Sequence, residues 1–146
     1  MVVYGRIKLG RHYTITGSDA VSGSEISYTV PAGKIWNLKS ATFTMWAGSG
    51  SSGTARSPYL VITGSDGYTN YQIYCGHDYV SGSGVTTYYW IAGLPSDTLH
   101  TGSIVVTPIP NDVILLENYV IKTSTTGFGT TDNWTAPAFY VEEWEA

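Results

Sequence analysis

The chain has 146 residues, and only 12% of them are charged while 42% are hydrophobic. Ordinary soluble domains carry about 25% charged residues, and disordered chains need high net charge and few aromatics, so we expect one compact domain. The formal net charge of −4 excludes a global positive field that attracts nucleic acid, and a single cysteine excludes an intrachain disulfide.

Strand signals recur along the chain at roughly 8–12-residue intervals, with turn residues between them. No segment carries a helical period. The predicted strands are 2–9, 12–16, 26–30, 34–46, 59–63, 68–75, 85–91, 103–107, 113–116, 119–123 and 138–144. This spacing is typical of a β-sandwich or a β-barrel.

The predicted strand 34–46 changes the phase of its apolar residues. Trp36 and Leu38 fall on one face, whereas Phe43 and Met45 fall on the opposite phase. A one-residue slip of phase inside a long strand is what a β-bulge produces. We therefore predict a bulge or bend near Lys39 and Ser40.

The predicted strand 85–91 carries apolar bulk on both faces. It contains Tyr88, Tyr89 and Trp90 in succession. Such a strand is either central in a sandwich or partly covered by a neighbouring subunit. Its exposed remainder is a candidate interface.

Charge is unevenly distributed between the two ends of the chain. Arg6, Lys8 and Arg11 lie in the first strand region, and the last one contains a cluster of glutamates. The two ends are predicted to pair in one sheet. The alternative is that one end docks on an oppositely charged partner, with Arg6 and Arg11 as its contact residues.

The segment Cys75-Gly76-His77-Asp78 contains the side-chain types of a nucleophilic or metal site. Catalytic Cys and His usually come from separate parts of a sequence, and zinc needs three or four ligands. We therefore interpret this segment as a strand-to-turn junction with a buried Cys75 and predict neither a catalytic nor a metal or cofactor site. The few aspartates, Asp132 among them, stand in turn-like settings and are expected to bond nearby backbone N–H groups.

Aromatic residues are the main candidates for binding, because they exceed what a small sandwich core can hold. Tyrosine and tryptophan anchor protein interfaces and also stack against sugars. Low Lys and Glu content favours a protein interface. The candidate interface residues are Trp46, Tyr88, Trp90, Trp134, Arg6 and Arg11.

Several segments resemble a group of small virion proteins of tailed bacteriophages. These segments are Val-Pro-Ala-Gly-Lys-x-Trp from Val30 to Trp36, Pro-x-Asp at Pro110 and Asp112 with its apolar strand, and the closing strand ending at Trp144. The likeness spans roughly residues 26–146, and the segment 123–131 departs from the pattern. Residues 1–25 lie outside it and are expected to form N-terminal strands or an arm.

The resemblance implies an all-β, jelly-roll-like antiparallel β-sandwich that acts as a virion structural protein. Specifically, it implies a capsid decoration or cement protein, homo-oligomeric, whose partners are the major capsid protein or other virion proteins, and it implies no catalytic residues. The alternative is a carbohydrate-binding or receptor-binding module of the tail or collar. An enzyme is a third interpretation, and it needs two carboxylates or a Cys75–His77 pair in a cleft.

The start of the chain has no apolar run after its charged residues, and no stretch approaches 18 apolar residues. We therefore expect neither a secretory leader nor a membrane span, and no membrane partner. The expected location is the virion, assembled in the host cytoplasm.

Overall fold

The computed structural model describes residues 10–49, 55–78, 84–95 and 98–146. These residues form twelve β-strands and no α-helix, so no helix among them is long and apolar enough to cross a membrane. The strands are β1 Arg11–Thr16, β2 Ser27–Thr29, β3 Lys34–Ala47, β4 Ser57–Thr63, β5 Thr69–Tyr74, β6 Gly84–Ala92, β7 Leu99–Thr101, β8 Ile104–Ile109, β9 Ile114–Leu115, β10 Val120–Thr126, β11 Asn133–Trp134 and β12 Ala138–Glu145.

The strands form two sheets that pack face to face. The larger sheet has the order β1-β12-β3-β6-β8-β7, and β9 and β11 also pair with β3. The smaller sheet has the order β2-β10-β4-β5. The predicted all-β, jelly-roll-like sandwich is confirmed, although β6 and β8 pair in parallel. The parallel pair arises because β7, which follows β6 in the chain, lies at the edge of the sheet. The chain then reverses direction and forms β8 between β6 and β7.

The strand prediction misses two short elements and includes one that lies outside the described residues. β7 has three residues and β11 has two, which is too short for an alternating pattern to be recognised. The predicted strand 2–9 lies outside the described residues.

The predicted bulge in β3 is confirmed at Lys39. Ser40 pairs with Tyr140 of β12, while Leu38 pairs with Val141, so Lys39 is the extra residue of β3. Because of this extra residue, both halves of the strand point their apolar side chains into the core.

The predicted pairing of the two ends is also confirmed. β1 pairs with β12 in antiparallel register, with Arg11 opposite Glu143 and Thr16 opposite Ala138. Residues 11–16 are therefore part of the larger sheet. Residues 1–9, including Arg6, lie outside the described residues, and an arm there stays a prediction.

The core is organised around aromatic contacts. Phe43 of β3 packs edge-to-face against Trp90, Trp134 and Phe139, with ring centroids 5.5–6.0 Å apart. Tyr28 of the smaller sheet lies 5.2 Å from Phe139. The contacts of Phe43 lie within the larger sheet, and the contact between Tyr28 and Phe139 joins the two sheets.

A completely buried ion pair closes one end of the sandwich. Arg56 and Asp132 are both 0% exposed. The guanidinium donates two hydrogen bonds to the carboxylate, Nε to Oδ2 at 3.0 Å and Nη2 to Oδ1 at 2.9 Å. The backbone N–H groups of Gly48 and Gly129 donate to the same carboxylate at 2.8 and 2.7 Å. The pair therefore joins the end of β3, the approach to β4 and the turn before β11.

The sequence correctly indicated that Asp132 bonds a nearby backbone N–H, but it did not indicate Arg56. Burial by itself raises the pKa of Asp132, but the bonds from Arg56, Gly129 and Gly48 outweigh it, so the pKa lies below its ordinary value. Asp132 is therefore ionised and structural.

We predict that Asp132→Asn destabilises the fold strongly, because it leaves a buried guanidinium without its carboxylate. Breaking one partner of a buried pair costs about 3–5 kcal/mol. The measurement is urea unfolding at neutral pH. Asp66→Asn is the control, because Asp66 lies in an exposed turn where its Oδ1 accepts the N–H of Tyr68. Equal effects of the two substitutions would contradict the prediction.

Candidate functional site

Three of the predicted interface residues lie in the core of this chain. Tyr88 is 1% exposed, and Trp90 and Trp134 are 0% exposed. Alternation along β6 points Tyr88 and Trp90 toward the smaller sheet, while Trp134 packs on Phe43 and donates its Nε1–H to Glu25 at 2.9 Å. The interpretation of these three as contact residues is therefore corrected: no partner can reach them in the folded chain.

Trp46 has the opposite placement. It lies near the end of β3, it is 55% exposed, and it pairs with Val85 of β6 on the outer side of the larger sheet. Its neighbours Met45 and Ala47 are buried. Trp46 is therefore available to a partner on the outer face of the larger sheet.

We call the outward side chains of four adjacent strands, β3, β6, β8 and β7, the outer patch. The patch consists of rows, and each row is made of residues that pair with one another on adjacent strands. The rows are Ser40, Ile91 and Pro108; Thr42, Tyr89, Val106 and Leu99; Thr44, Thr87, Ile104 and Thr101; and Trp46 and Val85. Leu99 and Ile104 are 65% and 41% exposed.

The outer patch contains no charged residue. Its polar members are Ser, Thr and Tyr, and the hydroxyls of Thr44 and Thr87 bond each other at 2.9 Å. Charged groups lie at its border, where Lys39 Nζ is 3.6 Å from Glu142 Oε2. The patch is suited to protein contact, because interface cores are depleted of charge, more apolar than the rest of the surface and enriched in aromatic side chains.

The sequence indicated part of this patch. The apolar bulk on both faces of strand 85–91 predicted an exposed remainder, which is Val85, Thr87, Tyr89 and Ile91. The contribution of Leu99 was missed, because β7 is too short to show a pattern.

A concave feature lies where β1 pairs with β12. A cavity of about 310 Å³ is lined by Arg11, His12, Tyr13 and Glu143. Arg11, one of the predicted interface residues, lines this cavity. The volume is at the lower limit of small-molecule sites.

The carboxylate at this cavity is occupied by hydrogen bonds within the protein. Glu143 is 6% exposed and accepts from the Tyr13 hydroxyl and from Trp36 Nε1 at 2.8 Å, while Lys34 Nζ lies 3.1 Å from its other oxygen. Burial raises the pKa of Glu143, but these three donors outweigh it, and the net pKa is below the ordinary value of 4.5. Burial and the bond to Glu143 raise the pKa of Tyr13 to about 12.

An ionised Glu143 with three donors fastens β1 to β12 and β3. It is not a proton donor at neutral pH, because its pKa is lowered. The geometry therefore supports a structural role for this cluster.

The Cys75–Asp78 segment is a strand-to-turn junction, in agreement with its sequence interpretation. Cys75 directly follows β5, is buried, and donates its thiol to the carbonyl of His77 at 2.9 Å. Burial raises the pKa of the thiol to about 11, and a protonated thiol is a poor nucleophile. The His77 ring stacks on His100 of β7 at 3.6 Å. Within the described residues, no group of three or more potential ligands is placed to hold a metal ion.

No protein family model and no curated protein matches the chain. Among solved structures, it is similar to chains from infectious bursal disease virus. The Gx strain structure is 18% identical, with 92% of this chain and 32% of that chain covered and a TM-score of 0.41. The Gt strain structure is 18% identical, with 93% and 33% covered and a TM-score of 0.39.

The crystal structure of the VP2 subviral particle of the same virus is 16% identical, with 92% of this chain and 32% of that chain covered and a TM-score of 0.39. The chain thus spans about a third of the length of the solved chains that it matches.

We predict that Trp90→Ala and Trp46→Ala differ strongly in their effect on stability. Truncating a buried tryptophan costs about 3–5 kcal/mol, whereas surface substitutions usually change stability by about 0.5 kcal/mol or less. Urea unfolding of the two variants measures the difference. A large loss in Trp46→Ala with little change in Trp90→Ala would contradict these placements.

We predict that Glu143→Gln lowers stability by about 1.5–3 kcal/mol at pH 7, the range of hydrogen bonds to a charged group. The folded-state pKa of Glu143 is lowered, so its contribution is present above its ordinary pKa of 4.5 and is lost as the pH falls through the folded-state value. Urea unfolding of both proteins at pH 7, 5 and 3 measures the difference, which should shrink below pH 4.5.

The control for this series is Glu117→Gln, in an exposed carboxylate that accepts the N–H of Gly33. If the difference in the free energy of unfolding between Glu143→Gln and the unsubstituted protein does not change with pH, the ionised carboxylate of Glu143 is not the source of the lost stability.

Proposed function

We propose that this protein is a structural subunit of a virion, specifically a decoration or cement protein on the capsid of a tailed bacteriophage. The observation that carries the proposal is the outer patch, an uncharged and partly apolar face on the larger sheet. Its function is adhesion to other virion subunits, either the major capsid protein or further copies of this chain. Its location is the virion, assembled in the host cytoplasm.

The segments that resemble phage virion proteins also contribute to the proposal, because two of them lie side by side. The Pro31–Gly33 turn leads into β3, and the Pro110–Asp112 turn leads into β9, which pairs with β3 at Trp36 and Leu115. Both segments thus build one region of the sandwich, where Trp36 and Leu115 are fully buried.

Adhesion explains how such a protein strengthens a shell. A molecule that binds only the assembled state stabilises that state by mass action. Many copies on one particle convert modest single contacts into strong overall attachment. No bond is made or broken in this mechanism.

A carbohydrate-binding or receptor-binding module is the second candidate, favoured by the exposed indole of Trp46. Sugar sites commonly present aromatic rings as flat stacking surfaces. The exposed rings lie on different strands and turns, and they are Tyr13, Trp46, Tyr68, Tyr74 and Tyr140. They do not form one continuous row, so the adhesive function is preferred.

The test is the copy number of this protein in purified particles of its source phage. Quantitative mass spectrometry of the particles measures the amount of this protein relative to the amount of the major capsid protein. We expect a number comparable with that of the capsid protein. A much smaller number would assign the protein to the tail or collar, and absence from the particle would refute the virion role.

A glycan-binding screen of the unsubstituted protein and Trp46→Ala tests the second candidate. Binding that is lost in Trp46→Ala, together with absence from the particle, would replace the adhesive function with carbohydrate binding.

A further inference from the structure

We infer that the stacked rings of His77 and His100 form an acid-sensitive contact between the two sheets, closed at neutral pH and separated when both rings are protonated. Such a contact is a device within one chain, and it goes beyond the proposed adhesive function.

The two rings lie at free edges of the two sheets. β5 is at one end of the strand order of the smaller sheet, and β7 is at one end of the order of the larger sheet. His77 follows the end of β5, and His100 is the central residue of β7. Their ring centroids are 3.6 Å apart, and the ring planes differ by 17°. The stack therefore links the two sheets on one side of the sandwich.

The backbone before His77 is held against the larger sheet without help from the rings. The carbonyl oxygen of Cys75 accepts the hydroxyl of Thr107 on β8 at 2.5 Å. Gly76 has a φ of 77°, and a Cβ at this position would overlap Thr98, which directly precedes β7. Neither contact involves a group that changes charge near neutral pH. The two rings are therefore the titratable part of this connection.

β7 is the element that separation of the rings would loosen. It has three residues, all of them exposed, and among the described strands it pairs only with β8. Leu99, which precedes His100, belongs to the outer patch. Separation of the rings therefore loosens one edge of that patch.

The nearest charge along the chain favours one proton on the pair. Both rings are exposed, so protons reach them from solvent. The hydrogen bond from Tyr74 is the main cause that lowers the pKa of Asp78, which directly follows His77. An ionised Asp78 favours a positive charge on its neighbour. The first proton on the pair is therefore tolerated.

The second proton is opposed. Two positive rings 3.6 Å apart repel each other, and the described segments 69–78 and 98–109 contain no carboxylate besides Asp78. The tyrosines and the thiol of these segments are neutral at acid pH. His100 Nε2 lies 3.0 Å from the carbonyl oxygen of Gly102, which carries no net charge. Nothing in these segments balances a second positive charge.

The direction of the pH dependence follows from the number of bound protons. The separated rings each bind a proton freely, whereas the stacked rings oppose the second one. A state that binds more protons is favoured as the pH falls. An ordinary histidine changes charge near pH 6.5. The stack is therefore closed above about pH 6.5 and separates below it.

Proton NMR of the purified protein at about pH 7.5 and about pH 5 tests the inference. Nuclear Overhauser effects between the rings of His77 and His100 should be present at the higher pH. At the lower pH they should fall about fivefold or more, as expected for two unit charges at this distance in water. The effect between Tyr28 and Phe139, whose ring centroids are 5.2 Å apart in the core, should stay constant and show that the sandwich remains folded.

His100→Phe separates ring stacking from ring charge. Phenylalanine retains an aromatic ring that can stack on His77, but it takes up no proton. A protonated His77 is attracted to the face of that ring, so the contact should persist at the lower pH. His12→Gln is the matched control, because His12 is an exposed histidine on β1, at the opposite edge of the larger sheet. Its pH response should equal that of the unsubstituted protein.

Effects between His77 and His100 that persist at the lower pH overturn the inference, as does their absence at the higher pH. An equal loss in His100→Phe also overturns it, because repulsion between two charged rings is then not the cause. Simultaneous loss of the Tyr28–Phe139 effect overturns it as well, because the whole sandwich then unfolds. All these outcomes are separate from the proposed function, which the copy number in the particle tests.

Discussion

The larger sheet depends on one constraint, the extra residue of β3 at Lys39. β3 pairs with β12, β6, β9 and β11, so its phase determines which side chains those strands turn inward. Trp36 and Leu38 before the bulge, and Phe43 after it, are all 0% exposed. Without Lys39, one half of β3 would turn its apolar side chains to solvent. The core and the outer patch are therefore two consequences of the same bulge.

Three carboxylates of this protein each accept several hydrogen bonds from within the chain. Asp132 binds Arg56, Glu143 accepts from Tyr13 and Trp36, and Glu25 accepts from Trp134 and the N–H of Thr125. Each carboxylate joins segments that are distant in the chain. A carboxylate with several donors holds a geometry more strictly than apolar packing does, because unpaired buried charge is costly.

The two outer faces of the sandwich differ in chemistry. The patch on the larger sheet exposes Leu99, Ile104 and Trp46, whereas the smaller sheet exposes polar side chains such as Thr29, Gln72 and Ser124 together with the ring of Tyr74. A sandwich whose two faces differ in this way suits adhesion between subunits, because its orientation in an assembly is defined by that difference. This asymmetry is the physical basis for the adhesive function proposed here.

The sequence by itself determined the all-β class, most strand positions and a bulge near Lys39 and Ser40, and it favoured the pairing of the two ends over docking of one end on a partner. Alternation, turn chemistry and charge are properties of neighbouring residues, so they can be read without the fold. Only the tertiary structure decided that Trp90 is core and Tyr89 outer, because strand 85–91 carries apolar residues in both phases. It also decided the Arg56–Asp132 pair, whose members are 76 positions apart, and the place of β7, because contacts between distant segments leave no local pattern.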